Sequence, residues 1–356
     1  MTEPRSASRD WTLRAFRPGD EEQVLDLFAL CFGRRITADH LRWKLHSHPD
    51  RSGTAWLAES GGRIIAHYAG IPVRFWLDGS EHSAMVVVDG MVHPDYRRRG
   101  VITDLMSHGC RRWIERGVSF GVVLPNEQWG SRVRVFGWEP LFPLRWRSLM
   151  LRPAAAMARR TGVRSLARLT AVDALWRSFH GRGLQPERAV SLRPMTEAGP
   201  ELDELWLGAR SGVRASLVRD RAWVVWRYFA PPAAEFHVLL AERNAEPVGY
   251  VAYRLIEDAG ASWATLADVF ADPRDPGLAD SLLAHAVRHL TEIGVESVAG
   301  AAIPDTSFDR ALDRAGFRIS RGSFDVHVVR YQAGIPRDTL ADPQLWTLAL
   351  GDFDVV

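Results

Sequence analysis

The two halves of this chain carry the same landmarks in the same order. Trp43-Lys44, with Pro49 six residues after the tryptophan, recurs as Trp226-Arg227 with Pro232. At the same offset of 183 residues Leu57-Ala58-Glu59 meets Leu240-Ala241-Glu242 and Ile65-Ala66 meets Val248-Gly249. One hairpin then loses four residues and the offset becomes 179. Asp89 falls on Asp268, Pro94 on Pro273, Pro125-Asn126 on Pro304-Asp305, and Phe136-Gly137-Trp138 on Ala315-Gly316-Phe317. Matches at two nearly constant offsets predict two copies of one α/β fold, and 356 residues is long enough for two such cores.

Within the first copy, Thr12 to Phe16 alternates as a strand, and Pro18-Gly19-Asp20 turns into a helix with Val24, Leu25, Leu27, Phe28 and Leu30 at helical spacing. A second helix through Leu41 and Trp43 ends near His48-Pro49. Ala55–Glu59 and Ile64–Tyr68, joined by Gly61-Gly62, predict a hairpin, and Ile71 to Leu77 a further strand. Phe120–Leu124 is expected to be a strand, Pro125-Asn126 to open a short helix ending at Phe136, and Leu144 to Leu151 to form a closing hairpin. From Pro153 to about Arg188 the chain turns Ala- and Arg-rich, with a stripe at Leu166, Leu169, Val172, Leu175, Trp176 and Phe179 that predicts a helical connector. The expected domains are therefore 1–151, a connector 152–190, a second copy 191–335 and an acidic tail 336–356.

The chemistry concentrates between Met91 and Met106. Val86-Val87-Val88 and Met91-Val92 form a β-branched apolar run that stops at Pro94, and a helical pattern runs from Ile102 to Glu115. Between them stand Arg97, Arg98, Arg99 and Gly100. The first amides of a helix have no partner inside it and lie at the positive end of its dipole, so a strand feeding a helix through three arginines makes an anion site fit for a pyrophosphate. Gly100 lets the backbone approach the anion with no side chain in the way. A solvated basic loop before an ordinary helix is the plainer reading, and the second copy argues against it. There the turn is Arg274-Asp275-Pro276-Gly277, two residues shorter, without the arginine run and with a proline that removes an amide donor. One copy is built to hold a phosphorylated molecule and the other to form a wall or surface.

Other chemistries lack their required spacing. No HExxH, GxSxG or GxxxxGK[ST] run occurs, and Cys31 and Cys110 are far apart with no metal-binding pattern, so no metal is expected. The formal charge of +2 gives no general case for nucleic acid. The polar N-terminus and the absence of any apolar run of spanning length predict a cytoplasmic protein without membrane contact. The 14 tryptophans sit mostly at apolar-periodic positions and are expected in the cores.

The first copy resembles the GNAT superfamily of acyl-CoA-dependent N-acyltransferases, and the whole chain resembles a tandem GNAT protein. The family turn, Arg/Gln-x-x-Gly-x-Gly/Ala after a strand ending Val-x-Pro, is matched by Val92-His93-Pro94 and Arg97 to Val101, and it breaks at Ile102, where a small residue is usual. Pro125-Asn126 and the aromatic-Gly-aromatic ending at Trp138 are similar to later family landmarks. The resemblance implies two tandem domains, each a mixed, mostly antiparallel twisted sheet flanked by helices. It implies acetyl-CoA or another acyl-CoA as cosubstrate, with its pyrophosphate on Arg97, Arg98, Arg99, Gly100, Val101 and Ile102, its pantetheine arm against Met91 and Val92, and a further contact at Asn126.

It also implies transfer to an amine on a small metabolite, amino sugar or antibiotic-like compound. Asp89 is the candidate base, since a positioned carboxylate accepting the amine proton typically contributes about 10²–10⁴-fold. An aspartate flanked by valine and glycine equally suits a brace for a bulged strand, and its recurrence as Asp268 fits that role. The tyrosine that protonates the leaving thiolate in many GNAT enzymes is replaced by Val133, so either another group such as Tyr96, Tyr68 or His93 stands in or the thiolate leaves without help. Two other readings remain open: an aminoacyl-tRNA-dependent transferase with paired GNAT folds, which needs no pyrophosphate turn, and a sensor that binds CoA without chemistry.

Overall fold

A computed structural model of the chain describes residues 10–49, 54–126, 129, 133, 135–163, 165, 171–173, 175–176, 186–232, 234–258, 260–332, 334–335 and 337–354. Contacts divide it into two units. The first comprises Met1–Arg74, His82–Glu139 and His327–Ile335, and the second Phe75–Glu81, Pro140–Val326 and Pro336–Val356.

In the first unit strands β1 (Thr12–Ala15), β2 (Thr54–Ser60), β3 (Arg63–Leu77), β4 (Ser80–Val92) and β5 (Phe120–Val123) lie side by side in that order. Helices α1 (Glu21–Phe32), α2 (Ala38–His46) and α3 (Val101–Glu115) connect them. The stretch Ile71–Leu77, expected as a strand of its own, is the far end of β3. The β1/β2 and β2/β3 pairs are antiparallel, whereas β4 and β5 run parallel, as two strands joined by a crossover helix can. Trp113 of α3 is the centre of the core. Its indole lies over Gly70, where a Cβ would stand 2.7 Å from the ring, and its N–H donates to Thr54 at 2.5 Å.

The second unit repeats this plan with β9 (Phe236–Arg243), β10 (Glu246–Asp258), β11 (Ala261–Ala271) and β12 (Ser297–Ala302), edged by β7 (Val190–Met195). Helix α4 (Pro153–Thr161) opens the connector, α5 (Glu201–Ala209) and α6 (Arg221–Val224) precede the sheet, and α7 (Pro276–Glu292) crosses from β11 to β12. The caps confirm the equivalence: Thr37 accepts from the amide of His40, and Asp220, 183 residues on, accepts from that of Trp223. Gly117 and Val118 close α3 on the carbonyls of Ile114 and Trp113, and Gly294 and Val295 close α7 on those of Thr291 and Leu290. Along the helix the copies are thus two residues closer, as the shorter turn requires. The tryptophan-on-glycine contact is exchanged rather than lost, because Leu290 takes the place of Trp113 and Tyr253 that of Gly70, both inside the second core.

Two expectations fail. The closing hairpin at Leu144–Leu151 is a single strand, β6 (Glu139–Met150), and it pairs with β12 of the other copy, Ser297 opposite Met150 and Ala302 opposite Arg145. Reciprocally, residues 327–330 of its equivalent β13 (Arg318–Arg330) pair with β5, Val123 opposite His327. The copies have exchanged corresponding strands, so contacts divide the chain near Glu139 rather than at 151. The longer first-copy hairpin has a matching use, since its tip pairs Phe75–Leu77 with β8 (Ala215–Leu217) inside the second unit. The connector residues Arg164, Leu166, Arg168, Leu169 and Phe179, and most of the expected helix after Asn126, lie outside the described residues. Val133, Val135 and Phe136 sit in a 3₁₀ turn.

Candidate functional site

Strand β4 is paired with β5 only from Ala84 to Val86, opposite Phe120 to Val122. Beyond that Asp89 takes a left-handed backbone, φ 50°, which an aspartate tolerates better than most residues, and Val87 to Val92 lie clear of the β5 register. A cavity of about 540 Å³ opens beside this part of the strand. Of the residues singled out from sequence, Met91, Val92, Arg97, Arg98, Gly100, Val101, Ile102 and Asn126 line it. The nonconforming Ile102 is therefore accommodated in the wall.

The turn has the local geometry its residues dictate. Pro94–Tyr96 is one turn of 3₁₀ helix capped by His93, Arg98 has φ 63°, and Gly100 has φ 90°, a conformation cheap only for glycine. Asp104 is the first α3 residue whose amide bonds back to Gly100, and Gly100 at the cap position has no side chain to offer the amides before it. Those amides and the helix dipole point the positive end of α3 at the cavity. Arg99 departs from expectation: it does not line the cavity, and its guanidinium lies over the Tyr96 ring, 5.2 Å from the centroid. Arg97 folds back, its Nε donating to the Val92 carbonyl at 3.2 Å, and the Cys31 thiol donates to the same oxygen at 3.4 Å. Burial pushes the Cys31 thiol up against the opposing pull of Arg97, so it stays protonated and able to donate.

Asp89 is not in the cavity wall. Its carboxylate meets Lys44 Nζ at 3.0 Å, both side chains buried, and its own carbonyl takes the His67 Nδ1 bond at 2.8 Å. Burial alone raises the Asp89 carboxyl, and Lys44, with His67 behind it, more than offsets this and holds it below the ordinary carboxylate range. Burial holds His67 neutral, and its Nε2 has no hydrogen-bond partner among the described residues. Sequence reasoning missed Lys44 as the partner of Asp89, although it is the chain's single lysine and sits in the repeated Trp-Lys/Arg motif.

The second unit shows what this cluster becomes when it is sealed. Tyr250 replaces His67 and donates to Asp268 at 2.8 Å, and Arg219 meets Asp268 at 2.9 Å. Arg227, the counterpart of Lys44, turns to the carbonyls of Gly351 and Phe353 at 2.6 and 2.9 Å. Asp352 closes the set with two bonds to Arg219, at 2.8 and 2.9 Å. The acidic tail is thus built into the second core. At the second copy's turn, Asp272 and Asp275 take up Arg274 and Arg243, so the arginines there are paired with carboxylates.

Of the three groups considered for the missing tyrosine, Tyr96 lines the cavity. Tyr68 is fully buried against Cys110, its hydroxyl pushed far up, and the His93 ring accepts from the Asp95 amide. Val133 is buried in the core. Sequence reasoning missed Cys31, Phe32 and Trp129 as lining residues. Among the described residues no group of three His, Cys, Asp or Glu is placed to hold a metal, and no helix is long and apolar enough to cross a membrane.

Residues 12–141 match the family model of the acetyltransferase (GNAT) domain. Among solved structures, a GCN5-related N-acetyltransferase from Anabaena variabilis superposes with a TM-score of 0.66 at 13% identity, over 90% of this chain and 73% of that one. A conserved Enterococcus faecalis protein described as a probable N-acyltransferase gives 0.65 at 12%, over 90% and 72%. Eis1 from Mycobacterium abscessus gives 0.56 at 18%, over 90% and 73%. At these identities the likeness is one of fold. No curated protein matches the chain.

Proposed function

We propose, from the match of residues 12–141 to the GNAT acetyltransferase domain, that this chain moves an acyl group, acetyl in the simplest case, from acyl-CoA to an amine. The acceptor is an amine of a small metabolite, amino sugar or antibiotic-like compound. The observation that carries this reading is the cavity at the α3 N-terminus, which gathers Met91, Val92, Arg97, Arg98, Gly100, Val101, Ile102 and Asn126 in one wall. The first-turn amides and the two cavity-lining arginines would hold the pyrophosphate, and the β4 backbone that has left β5 would hold the pantetheine arm. When bound, acyl-CoA supplies the activated acyl group for direct attack by the amine.

The chain's own residues then orient the amine and handle its proton. Asp89 is ionised but held by Lys44, and so depressed a carboxylate is a weak proton acceptor at neutral pH. We assign it first to bracing the bend of β4, next to Gly90, and as a base only for an amine that arrives largely neutral. We place the activity in the cytoplasm, in keeping with two free cysteines.

Titration with acetyl-CoA, followed by free-thiol release across a panel of amines, tests the reading. Binding and amine-dependent thiol release are expected. Absence of CoA binding overturns it, and binding without release by any amine makes the chain a CoA-binding sensor. Aminoacyl transfer from tRNA in a CoA-free assay would instead favour the transferase of that class.

A further inference from the structure

The strand that would carry the thioester has one position where the side chain is missing and another group fills the space. At Gly90, between Asp89 and Met91, a Cβ would stand 2.5 Å from Cζ2 and 3.3 Å from Cη2 of Trp129. The indole therefore lies directly on the β4 backbone. A turn fixes it there, since the Trp129 amide donates to the Asn126 carbonyl at 3.0 Å, and Phe136 meets the ring edge-on with centroids 6.2 Å apart. Both rings line the same cavity as Arg97, Arg98 and Gly100. The pair is matched as a pair in the other copy, where Val269 stands for Gly90 and Phe308 for Trp129. A larger strand residue goes with a smaller aromatic.

We infer that Trp129 is the residue that sets the length of the acyl group this site accepts. The inference rests on the acyl-CoA reading above. With the pyrophosphate at the α3 N-terminus, the ligand runs along β4 from Val92 through Met91 to Gly90, and its acyl end arrives where the indole covers the strand. A ring held by a backbone turn, by Phe136 and by contact with Gly90 does not yield to an added methylene without strain. Acetyl fits beside it and longer chains meet its face. Removing the ring leaves an apolar slot walled by Phe136 and Met91, where each buried methylene then favours binding about fourfold.

Affinity tests this without knowledge of the acceptor. Free CoA, acetyl-CoA, butanoyl-CoA and hexanoyl-CoA are titrated calorimetrically into the full chain and into Trp129→Ala and Trp129→Phe. In the wild type the affinity is expected to fall at least tenfold from acetyl to hexanoyl, in the range by which apolar pockets discriminate added methylenes. In Trp129→Ala the order reverses, hexanoyl-CoA binding at least tenfold tighter than acetyl-CoA, while affinity for free CoA stays within about threefold of wild type. Trp129→Phe, which keeps a ring, falls between them and guards against a variant that merely unfolds. An unchanged chain-length profile in Trp129→Ala with intact CoA binding overturns the role of Trp129 alone. Failure of free CoA to bind the wild type overturns the acyl-CoA reading and this inference with it.

Discussion

Replacing Lys44 by methionine removes one partner of a buried ion pair and leaves the other. Lys44 and Asp89 are 3.0 Å apart, with side chains 1% and 7% exposed, so water cannot compensate the Asp89 carboxylate once the ammonium is gone. Breaking such a pair from one side costs about 3–5 kcal/mol. Asp89→Asn removes the carboxylate from the same buried pair and is expected to cost a similar amount, and asparagine is chosen because it accepts the left-handed backbone at this position. In the double variant neither charge remains, and its destabilisation should fall about 2 kcal/mol or more short of the sum. Urea unfolding, with hydrogen exchange of the Val86–Val92 amides to assign the effect to the first unit, measures all three.

The pair also fixes a pH signature. The folded Asp89 carboxyl lies below its ordinary value of 3.8, so its stabilisation is complete above that value and is lost as pH falls through the folded pKa. The difference between wild type and Asp89→Asn should therefore shrink in acid below about pH 4. Additivity of the two single variants within about 0.5 kcal/mol, or a cost for Lys44→Met under 1 kcal/mol, would refute the brace. A base role predicts something different, an Asp89→Asn protein of normal stability whose turnover is about 10²–10⁴-fold lower.

The arginine run is expected to divide by position: Arg98→Ala should weaken CoA binding by about tenfold or more, as loss of a charge-assisted contact does, whereas Arg99→Ala, which gives up an exposed contact with Tyr96, should weaken it less than threefold. Equal losses by calorimetry would refute that division. In the second unit Arg219 faces both Asp268 and Asp352, and burial, with the second carboxylate, pushes Asp352 up to about 6. An acid with a raised folded pKa binds more protons folded than unfolded, so this group lowers stability as pH rises from about 4 to about 6, and Asp352→Asn should flatten that part of the pH–stability curve. Gly351→Ala would put a methyl against the Tyr228 hydroxyl and 3.1 Å from the Ala267 carbonyl, and is expected to destabilise the second unit by about 1–3 kcal/mol in urea unfolding.

The repeat and the basic turn are legible in the amino-acid sequence. Two offsets define two copies, and the shortening of the second turn leaves the arginine run in the first, because a left-handed turn before a helix leaves a local trace in Gly100 and the residues around it. Eight of the nine positions proposed for cofactor binding line one cavity for the same reason: they are contiguous, or follow a strand–turn–helix unit whose geometry is local.

Tertiary structure decided what depended on distant partners. Asp89 reads in sequence equally as a base or as a brace, and only the approach of α2 brings Lys44 to it and lowers its proton affinity. Trp129 carries no local sign that its ring will cover Gly90, 39 positions away in the chain. The exchange of β6 and β13 was invisible for a deeper reason. The two strands are equivalents in a repeat, so each offers its backbone to the same kind of sheet edge, and alternation along a strand specifies which face is buried but not which copy's edge it joins.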